Sequence, residues 1–337
     1  MLNIQTNLNL QAFNSLHLQS TTANYCRLTS LEQLTVLRKQ LPKFAKFMIL
    51  GGGSNIILPE FYTGLVIHNQ LYGRQIDYQD RQYITITAGA GENWDDFISY
   101  CLANGAYGLE NLSLIPGSVG ASPIQNIGAY GVEVKDFIQK VAVYDWHTGE
   151  HLQLTNQQCQ FSYRNSYLKN NSRYLVTAVT FRLTKQANLI TNYADIAEQL
   201  AIKSVTPTPQ DLRQVIIATR QAKLPDPQQL GNAGSFFHNP IIEQTIVKKL
   251  QLSYPNLPVY PIENSSLSKI SAGWLIDNLG LKGYRHADLA IYAKQALVIV
   301  NYANSTQTEL LKFAQYIQEQ VLQQYGIDLN IEPIIIT

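Results

Sequence analysis

Charged side chains are scarce in this chain. Asp, Glu, Lys and Arg make up 15% of its 337 residues, against about 25% in typical soluble domains. The net charge is only +1, so the chain lacks the broad basic field that binds nucleic acid. Apolar residues make up 45%, which is typical of a folded chain and not of a disordered one. We expect no nucleic-acid partner, and we expect a phosphorylated ligand to be held by local groups.

Cysteine is also scarce. The three cysteines are Cys26, Cys101 and Cys159, and their wide spacing contains neither a C-x-x-C pair nor a zinc-binding pattern. We expect free thiols, buried or half-buried, in a reducing compartment. His238 and His286 show no paired ligand spacing either. We therefore predict no metal site and expect both histidines to be solvated.

Long apolar runs are absent. No run approaches the ~18 residues that a membrane-spanning helix needs. The N-terminal residues MLNIQTNLNLQAFN have neither a basic region nor an apolar region of the kind found in signal peptides. We expect a cytoplasmic protein without a membrane partner.

Two glycine-rich, nearly uncharged stretches stand out against this background. The first is Gly51–Asn55, and the second is Asn111–Glu133, which has glycine at 117, 120, 128 and 131 and a single charged residue, Glu133. Glycine lets backbone amides approach a bound group closely. A Rossmann loop or P-loop would open a helix, but Pro59 and the following strand argue against a helix here. We predict a large phosphate-bearing cofactor held by a nest of loop amides.

Sequence periodicity predicts an α+β fold with several short strands and few helices. The predicted strands are Phe44–Leu50, Leu65–His68, Tyr83–Ala88, Val141–Trp146, Leu175–Leu183 and Ile327–Ile336. The predicted helices follow Leu31, Leu34, Leu37 and Leu41, span Asn93–Asn104 and Gln210–Lys223, and follow Leu310, Ala314, Ile317 and Val321. The length favours two or three domains, and the composition shift at 223–240 is a plausible boundary.

Four side chains could carry chemistry, but local pattern alone leaves each of them open. Arg164 could pair with a carboxylate or lie on the surface, and Lys223 could simply complement a helix dipole. Ser235, preceded by Ala233 and Gly234, could deliver a proton or could shape a tight turn. It does not fit the G-x-S-x-G nucleophile motif.

Glu332 is the fourth of these side chains. Counting with period 2 places it with Asp328 and Asn330, opposite Ile327, Leu329 and Ile331. This pattern favours exposure of Glu332 to solvent.

Blocks of sequence spread over almost the whole chain resemble the UDP-N-acetylenolpyruvoylglucosamine reductase (MurB) family. They are GGGSN (51–55), AGENW (90–94), GLENLSLIPGSVGASPIQNIGAYGVE (108–133), YRNS (163–166), KLPDP (223–227), GNAGSFFHNP (231–240), AGWLID (272–277), LKG (281–283), KQALVIVN (294–301) and the terminal EP (332–333). Each block is weak alone, but together and in family order they are very specific.

The resemblance implies an FAD-binding fold of the vanillyl-alcohol oxidase type, in which two α+β subdomains hold the flavin and a third domain covers the substrate. The expected domains are 1–68 with the returning strand 327–337, then 69–222, then 223–326. The resemblance also implies a monomeric flavoprotein oxidoreductase of peptidoglycan synthesis. NADPH would reduce FAD, and UDP-N-acetylglucosamine enolpyruvate would then be reduced to UDP-N-acetylmuramate.

The resemblance assigns three catalytic roles. Arg164 and Glu332 match the positions that stabilise the enolate formed when hydride reaches the vinyl carbon. Glu332 could donate a hydrogen bond only when protonated, a state that burial favours. Ser235 matches the proton donor to the enolate carbon, and because a serine hydroxyl is a weak acid it would need a neighbouring donor or water relay.

The resemblance also assigns binding positions. FAD would be held by Gly51, Gly52, Gly53, Ser54, Asn55, Pro116, Gly117, Ser118, Gly120, Ala121, Ser122, Pro123, Gln125, Asn126, Gly128 and Ala129. Substrate or the nicotinamide nucleotide would be held by Tyr163, Tyr193, Lys223, Asn239, Lys282 and Gln295. Tyr193 matches a substrate-loop tyrosine found in one of the family's two types.

Two other functions stay open at this stage. One is an FAD oxidase of the same fold that acts on sugars or alcohols, although many such enzymes tether FAD through a His or Cys that the glycine-rich loops do not offer. The other is a flavin- or nucleotide-binding module without catalysis, for which the joint presence of Arg164, Ser235 and Glu332 would be coincidence.

Overall fold

The computed structural model describes residues 2–191, 193–204, 206–262 and 265–337. In chain order the strands are β1 (Ile4–Asn9), β2 (Thr21–Leu28), β3 (Phe47–Leu50), β4 (Ile56–Ile57), β5 (Phe61–Asn69), β6 (Arg74–Gln79), β7 (Tyr83–Gly89), β8 (Gly128–Ala129), β9 (Val132–Glu133), β10 (Ile138–Asp145), β11 (His151–Thr155), β12 (Tyr174–Thr184), β13 (Gly231–Ser235), β14 (Ile241–Glu243), β15 (Val259–Pro261), β16 (Leu267–Ile270), β17 (Arg285–His286), β18 (Leu289–Ile291), β19 (Val298–Asn301) and β20 (Ile334–Ile335).

The α-helices are α1 (Glu32–Gln40), α2 (Trp94–Ala103), α3 (Ala194–Lys203), α4 (Pro209–Lys223), α5 (Gln244–Ser253), α6 (Ala272–Asn278) and α7 (Gln307–Tyr325). The chain divides into two compact units. Unit 1 contains Met1–Leu8, Thr22–Gly52 and Thr63–Ala222, and unit 2 contains Asn9–Thr21, Gly53–Tyr62 and Lys223–Thr337. The division into three domains stays a prediction.

Unit 1 is built around two sheets. Most of the first sheet, in the order β1-β2-β5-β3, lies in this unit, and the second has the order β11-β10-β12-β7-β6. All pairs in the second sheet are antiparallel. Helix α2 covers one face of it, and the Phe97 ring lies 4.9 Å from that of Phe181 on β12. The Trp94 indole donates to the Leu112 carbonyl at 3.0 Å, which joins α2 to the second glycine-rich stretch.

Unit 2 carries three further sheets and the longest helix. The sheet orders are β13-β19-β18-β17, β14-β16-β15 and the parallel pair β20-β4. Helix α7 begins with a capping box formed by Thr306 and Glu309 and ends at Gly326, whose φ is +66°. Its buried face, which includes Phe313 and Ile317, belongs to the same apolar core as Leu275 of α6.

Local sequence signals predicted the long elements well. Asn93 accepts from the backbone N–H groups of Asp95 and Asp96, as a helix N-cap should. Helix α4 spans almost the predicted residues, and all four residues of the predicted apolar stripe of α7 are buried. The predicted strand Phe44–Leu50 is shorter and begins at Phe47.

The predicted strand Ile327–Ile336 is wrong as a single element. Only Ile334–Ile335 forms a strand, paired with β4, while Ile331 makes an isolated antiparallel bridge with Phe237. Pro333 lies between these two pairings. Because proline has no N–H and cannot donate to a ladder, the segment changes partner there.

Candidate active site

The two glycine-rich stretches pack backbone against backbone in unit 1. A Cβ on residue 52 would lie 2.8 Å from the Gly117 Cα, and one on residue 51 would lie 2.7 Å from the Ser118 Oγ. At residue 52, where the neighbour is backbone, only glycine allows so close an approach. The contact forms a surface of backbone and small polar side chains.

Residues 90–94 are hydrogen-bonded to the second glycine-rich stretch. Val119 donates its N–H to the Glu92 carbonyl at 2.8 Å, and Gly120 donates to the Ala90 carbonyl at 2.9 Å. A Cβ on Gly120 would lie 2.5 Å from the Ala90 Cβ. Glycine at 120 is therefore needed for the pairing that fixes this part of the loop.

The rest of the first loop, from Gly53, belongs to unit 2. Gly53 has a φ of +63°, and a Cβ there would lie 1.9 Å from the Phe13 carbonyl oxygen. Its own carbonyl accepts from the Ser15 N–H at 3.0 Å. Both the backbone conformation and the packing therefore require glycine.

Asn126 organises the interior of the second stretch. It is fully buried, and its amide donates to the Glu133 carboxylate at 3.0 Å and to the Ser162 carbonyl at 3.1 Å. Its side-chain oxygen accepts from the Lys135 N–H at 3.1 Å. The structure thus shows Asn126 shaping the loop; its predicted contact with the cofactor stays a prediction.

Arg164 lies beside this stretch at the end of a tight turn. Ser162 and Asn165 exchange backbone hydrogen bonds of 3.0 and 3.2 Å, and Arg164 between them has a φ of +52°. Its guanidinium donates to the Gly128 carbonyl at 2.7 Å and lies 5.2 Å from the Tyr163 ring centre. The predicted anion-binding arginine is therefore anchored to the predicted cofactor loop.

Tyr193 lies at the start of α3, where its ring is 46% exposed. It packs edge to face on Tyr130, with ring centres 5.7 Å apart. Tyr130 belongs to the second glycine-rich stretch, so this contact brings the predicted substrate-loop tyrosine next to the predicted cofactor loop.

Ser235 and Glu332 are brought together in unit 2. Ser235 is the exposed last residue of β13 and is paired with Val298. The next residue, Phe236, accepts at its carbonyl from the Glu332 N–H at 2.9 Å. The two predicted catalytic residues thus lie on neighbouring extended segments, whereas Arg164 belongs to unit 1.

Glu332 differs from the residues with which simple alternation grouped it. Asp328 and Asn330 are exposed, but the Glu332 side chain keeps only 16% of its exposure. The prediction of a solvent-facing Glu332 is therefore wrong, and the partial burial agrees with the role that the resemblance implied.

The solvated His238 predicted from the sequence is also wrong. Its side chain is 21% exposed, and Nδ1 lies 3.5 Å from a carboxylate oxygen of Glu332. Sequence reasoning missed this residue because no ligand spacing marked it. No local signal could have found it, because the contact depends on the pairing of residues 236–238 with residues 330–332. His286 is exposed, as predicted.

The four predicted substrate-binding residues of unit 2 lie in three places. Asn239 accepts from the Ala272 N–H at 3.0 Å, and a Cβ on Gly273 would lie 3.5 Å from the Gln295 side-chain oxygen. Both therefore lie at the start of α6. Lys282 pairs with Asp277 at 2.6 Å, and Lys223 is exposed at the end of α4.

The described cysteines and acidic groups show no competing metal site. Cys26, Cys101 and Cys159 are buried free thiols, as predicted, and burial raises the pKa of Cys26 to about 12 and that of Cys159 to about 11. No cluster of three His, Cys, Asp or Glu side chains that could hold a metal occurs among the described residues. Nor does that part of the chain contain a helix long and apolar enough to cross a membrane.

Two family models match the chain. Residues 23–155, which include both glycine-rich stretches, match an FAD binding domain. Residues 226–336, which include Ser235, His238 and Glu332, match the C-terminal domain of UDP-N-acetylenolpyruvoylglucosamine reductase. The candidate residues Tyr163, Arg164, Tyr193 and Lys223 lie between the two matched ranges.

Full-length relatives agree with these models. The chain is 43% identical to the UDP-N-acetylenolpyruvoylglucosamine reductase of Chromobacterium violaceum, over 99% of each chain. It is also 43% identical to the enzyme of that name from Bdellovibrio bacteriovorus, over 98% of this chain and 99% of that one. The crystal structure of MurB from Thermus caldophilus has the same fold, with a TM-score of 0.68 at 20% identity over the whole of both chains. The chain belongs to the UDP-N-acetylenolpyruvoylglucosamine reductase family and has its α+β, FAD-binding fold.

Proposed function

We propose that Arg164, Ser235 and Glu332 carry the family's reaction in this protein. The protein is an FAD-dependent oxidoreductase that reduces UDP-N-acetylglucosamine enolpyruvate to UDP-N-acetylmuramate with electrons from NADPH, a step of peptidoglycan synthesis. The observation that carries the assignment of residues is the pairing of the 236–238 and 330–332 segments, which sets Glu332 beside the strand that ends at Ser235.

The glycine-rich surface of unit 1 fits a flavin dinucleotide. Gly52 lies so close to the Gly117 backbone that a side chain is excluded, which leaves backbone amides and hydroxyls for a pyrophosphate. When bound, FAD takes hydride from NADPH and supplies it to the vinyl carbon of the substrate. The other FAD-binding residues expected from the resemblance are also proposed to contact the cofactor.

Arg164 and Glu332 are proposed to stabilise the negative charge that develops on the substrate. Hydride addition to the vinyl terminus places charge on the neighbouring carbon and its carboxylate, which needs donors aimed at it. The Arg164 guanidinium is planar, and its bond to the Gly128 carbonyl fixes its orientation. The half-buried carboxyl of Glu332 can donate a hydrogen bond to the same group when it is protonated.

Ser235 is proposed to give its hydroxyl proton to the enolate carbon. Exposure at the end of β13 leaves its hydroxyl accessible to a substrate. Gly234, with a φ of +68°, is held by a hydrogen bond from its N–H to the Asn232 side chain at 3.0 Å. This hydrogen bond fixes the irregular end of β13, where Ser235 lies.

The polar residues that the resemblance assigned to binding are proposed to hold the substrate or the nicotinamide nucleotide. Tyr163, Tyr193, Lys223, Asn239, Lys282 and Gln295 are the candidates. We further propose that the protein acts as a monomer in the cytoplasm, where UDP-sugars and NADPH are available.

Replacement of Ser235 by Ala separates the proposed proton donor from the rest of the enzyme. We expect NADPH to bleach the flavin of Ser235→Ala at the unaltered rate. Flavin recovery after addition of the enolpyruvate substrate should fall by about 10²–10⁴, the usual contribution of a general acid. Ser253→Ala, at the exposed end of α5, is the matched control. An equal loss in both half-reactions would rule out the proton-donor role.

A further inference from the structure

His238 and Glu332 are held on one face of a short antiparallel pair. Phe237 bridges Ile331, and the flanking bonds run from the His238 N–H to the Asn330 carbonyl and from the Glu332 N–H to the Phe236 carbonyl, both 2.9 Å. This register places His238 and Glu332 in diagonal positions on the same face, within reach of long side chains.

The two side chains meet in that position. His238 Nδ1 lies 3.5 Å from the Glu332 Oε2, with the side chains 21% and 16% exposed. This distance is longer than a typical N–H···O hydrogen bond but lies within the range of an ion pair between a protonated imidazole and a carboxylate. The Nδ1 atom itself is buried, so the exposed part of the ring lies on its other edge.

The backbone on either side of His238 is anchored. Asn239 accepts from the Ala272 N–H at 3.0 Å, and the Pro240 carbonyl accepts from the Ile270 N–H at 2.9 Å. The imidazole is therefore carried by a fixed segment between solvent and the carboxyl group of Glu332.

We propose that His238 is a positioning residue that keeps the Glu332 carboxyl supplied with a proton, so that the pair acts as a one-proton unit toward the substrate. The proposal rests on the role given to Glu332 above and goes beyond it by naming the group that sets its protonation.

The proton balance of this pair is closed. As negative charge develops on the substrate, the one shared proton moves from Nδ1 of the His238 imidazolium to Glu332, and Glu332 passes it to the enolate oxygen, which leaves a neutral imidazole beside a carboxylate. When Ser235 has given its proton to the enolate carbon, the carboxyl group of the product returns the shared proton to Glu332, and the exposed serine alkoxide takes a proton from solvent water. The proton of the pair is shared and not consumed.

Other charged groups lie on the elements that adjoin the His238–Glu332 pair. The Glu332 segment carries exposed Asp328, and β14 and β16 carry Glu243 and Lys269. All three remain in a His238 variant, so a change in pH dependence on replacing His238 reports the pair itself.

The pH profile distinguishes this role from a structural one. Ordinary histidine loses its proton near pH 6.5 and ordinary glutamic acid near pH 4.3, and a coupled pair titrates as a unit. With His238 present, the pair keeps a proton into the neutral range. In His238→Gln, Glu332 must hold the proton without a partner. It then loses the proton at lower pH, so the rate of flavin recovery falls at lower pH.

The test is the rate of flavin recovery in NADPH-reduced protein mixed with the enolpyruvate substrate, from about pH 5 to about pH 9. For His238→Gln we expect the falling limb to move by at least about one pH unit toward acid, which is a tenfold or greater loss on the alkaline side. His286→Gln, on an exposed histidine of β17, should leave the limb in place. A profile lowered equally at every pH, or unchanged, would overturn the proposal.

A second variant distinguishes loss of the proposed proton role from a folding defect. His238→Ala leaves a partly exposed space, and added imidazole should restore the rate, whereas pyrazole, a ring of the same size and much weaker basicity, should not. Equal rescue by both rings, or by neither, would contradict the proton role. If the wild-type flavin itself failed to recover with substrate, the proposed function would be wrong and this inference with it; normal wild-type recovery beside an unaltered variant profile overturns this inference alone.

Discussion

The guanidinium of Arg164 donates a hydrogen bond of 2.7 Å to the carbonyl oxygen of Gly128. A Cβ on Gly128 would lie only 3.0 Å from the Arg164 Nη1, so glycine at this position leaves room for the arginine. The contact links a proposed catalytic side chain to the loop proposed to bind FAD.

Arg164→Lys should damage the second half-reaction selectively. Lysine keeps the positive charge but lacks the planar fork that can bond a backbone carbonyl and a substrate carboxylate together. We expect flavin recovery with the enolpyruvate substrate to slow by about 10²–10³, as for loss of one oxyanion donor, while flavin bleaching by NADPH is unchanged.

Stopped-flow absorbance of the flavin measures both rates. Arg182→Lys is the matched control, because Arg182 stacks on Tyr83 at an exposed position of β12. Equal slowing of both half-reactions by Arg164→Lys would contradict the proposal that Arg164 stabilises the negative charge on the substrate.

Gly52→Ala should weaken FAD binding. The added Cβ would lie 2.8 Å from the Gly117 Cα, so one of the two loops must shift. The shifted loop amides should lose contacts with FAD, and a loss of about 1–3 kcal/mol of binding free energy, the size of a typical overpacking cost, corresponds to about 5- to 150-fold in affinity. The measurement is the dissociation constant of FAD for protein freed of flavin.

Gly273→Ala is the control for this comparison. Gly273 lies in α6, where a Cβ would meet its nearest neighbour at 3.5 Å, an ordinary contact. Full FAD affinity in Gly52→Ala would show that the packing of the two loops does not shape the cofactor site.

Asp145→Asn should lower stability in a pH-dependent way. Arg173 donates to both Asp145 carboxylate oxygens at 2.8 Å, and this partner holds the pKa of Asp145 well below its usual range. A carboxyl with a lowered folded-state pKa contributes stability above its unfolded value of about 3.9, and that stability is lost as the pH falls through the folded value.

Urea unfolding at neutral and acid pH measures the effect. Near pH 7 we expect Asp145→Asn to lower the free energy of unfolding by about 2 kcal/mol, the range for hydrogen bonds to charged groups. The difference from wild type should shrink below about pH 4. Asp277→Asn, which breaks an exposed pair with Lys282, should change stability little. A difference that stayed constant with pH would contradict the assignment to the Asp145 charge.

Local signals explain the parts of the fold that the sequence predicted. Asn93 caps α2 through its own neighbours, and Gly326 ends α7 because glycine tolerates a φ of +66°. Such signals are contained within a few residues. Helices α5 and α6 are short and were not predicted, because tertiary packing contributes most of the stability of short helices.

Pairing between distant segments explains what the sequence could not predict. Alternation placed Glu332 in solvent, but its environment depends on the register of 330–332 against 236–238, which no local pattern encodes. The same register buries the Nδ1 of His238. The candidate catalytic set was found through resemblance to a family, whereas the His238 contact required the structure.

Anaerobic flavin spectroscopy tests the central claim most directly. Purified protein with bound FAD is mixed with one equivalent of NADPH, and UDP-N-acetylglucosamine enolpyruvate is then added. We predict bleaching of the flavin absorbance followed by full recovery and formation of UDP-N-acetylmuramate. A flavin that bleaches but does not recover, or a protein that binds no flavin when FAD is supplied, would contradict the account.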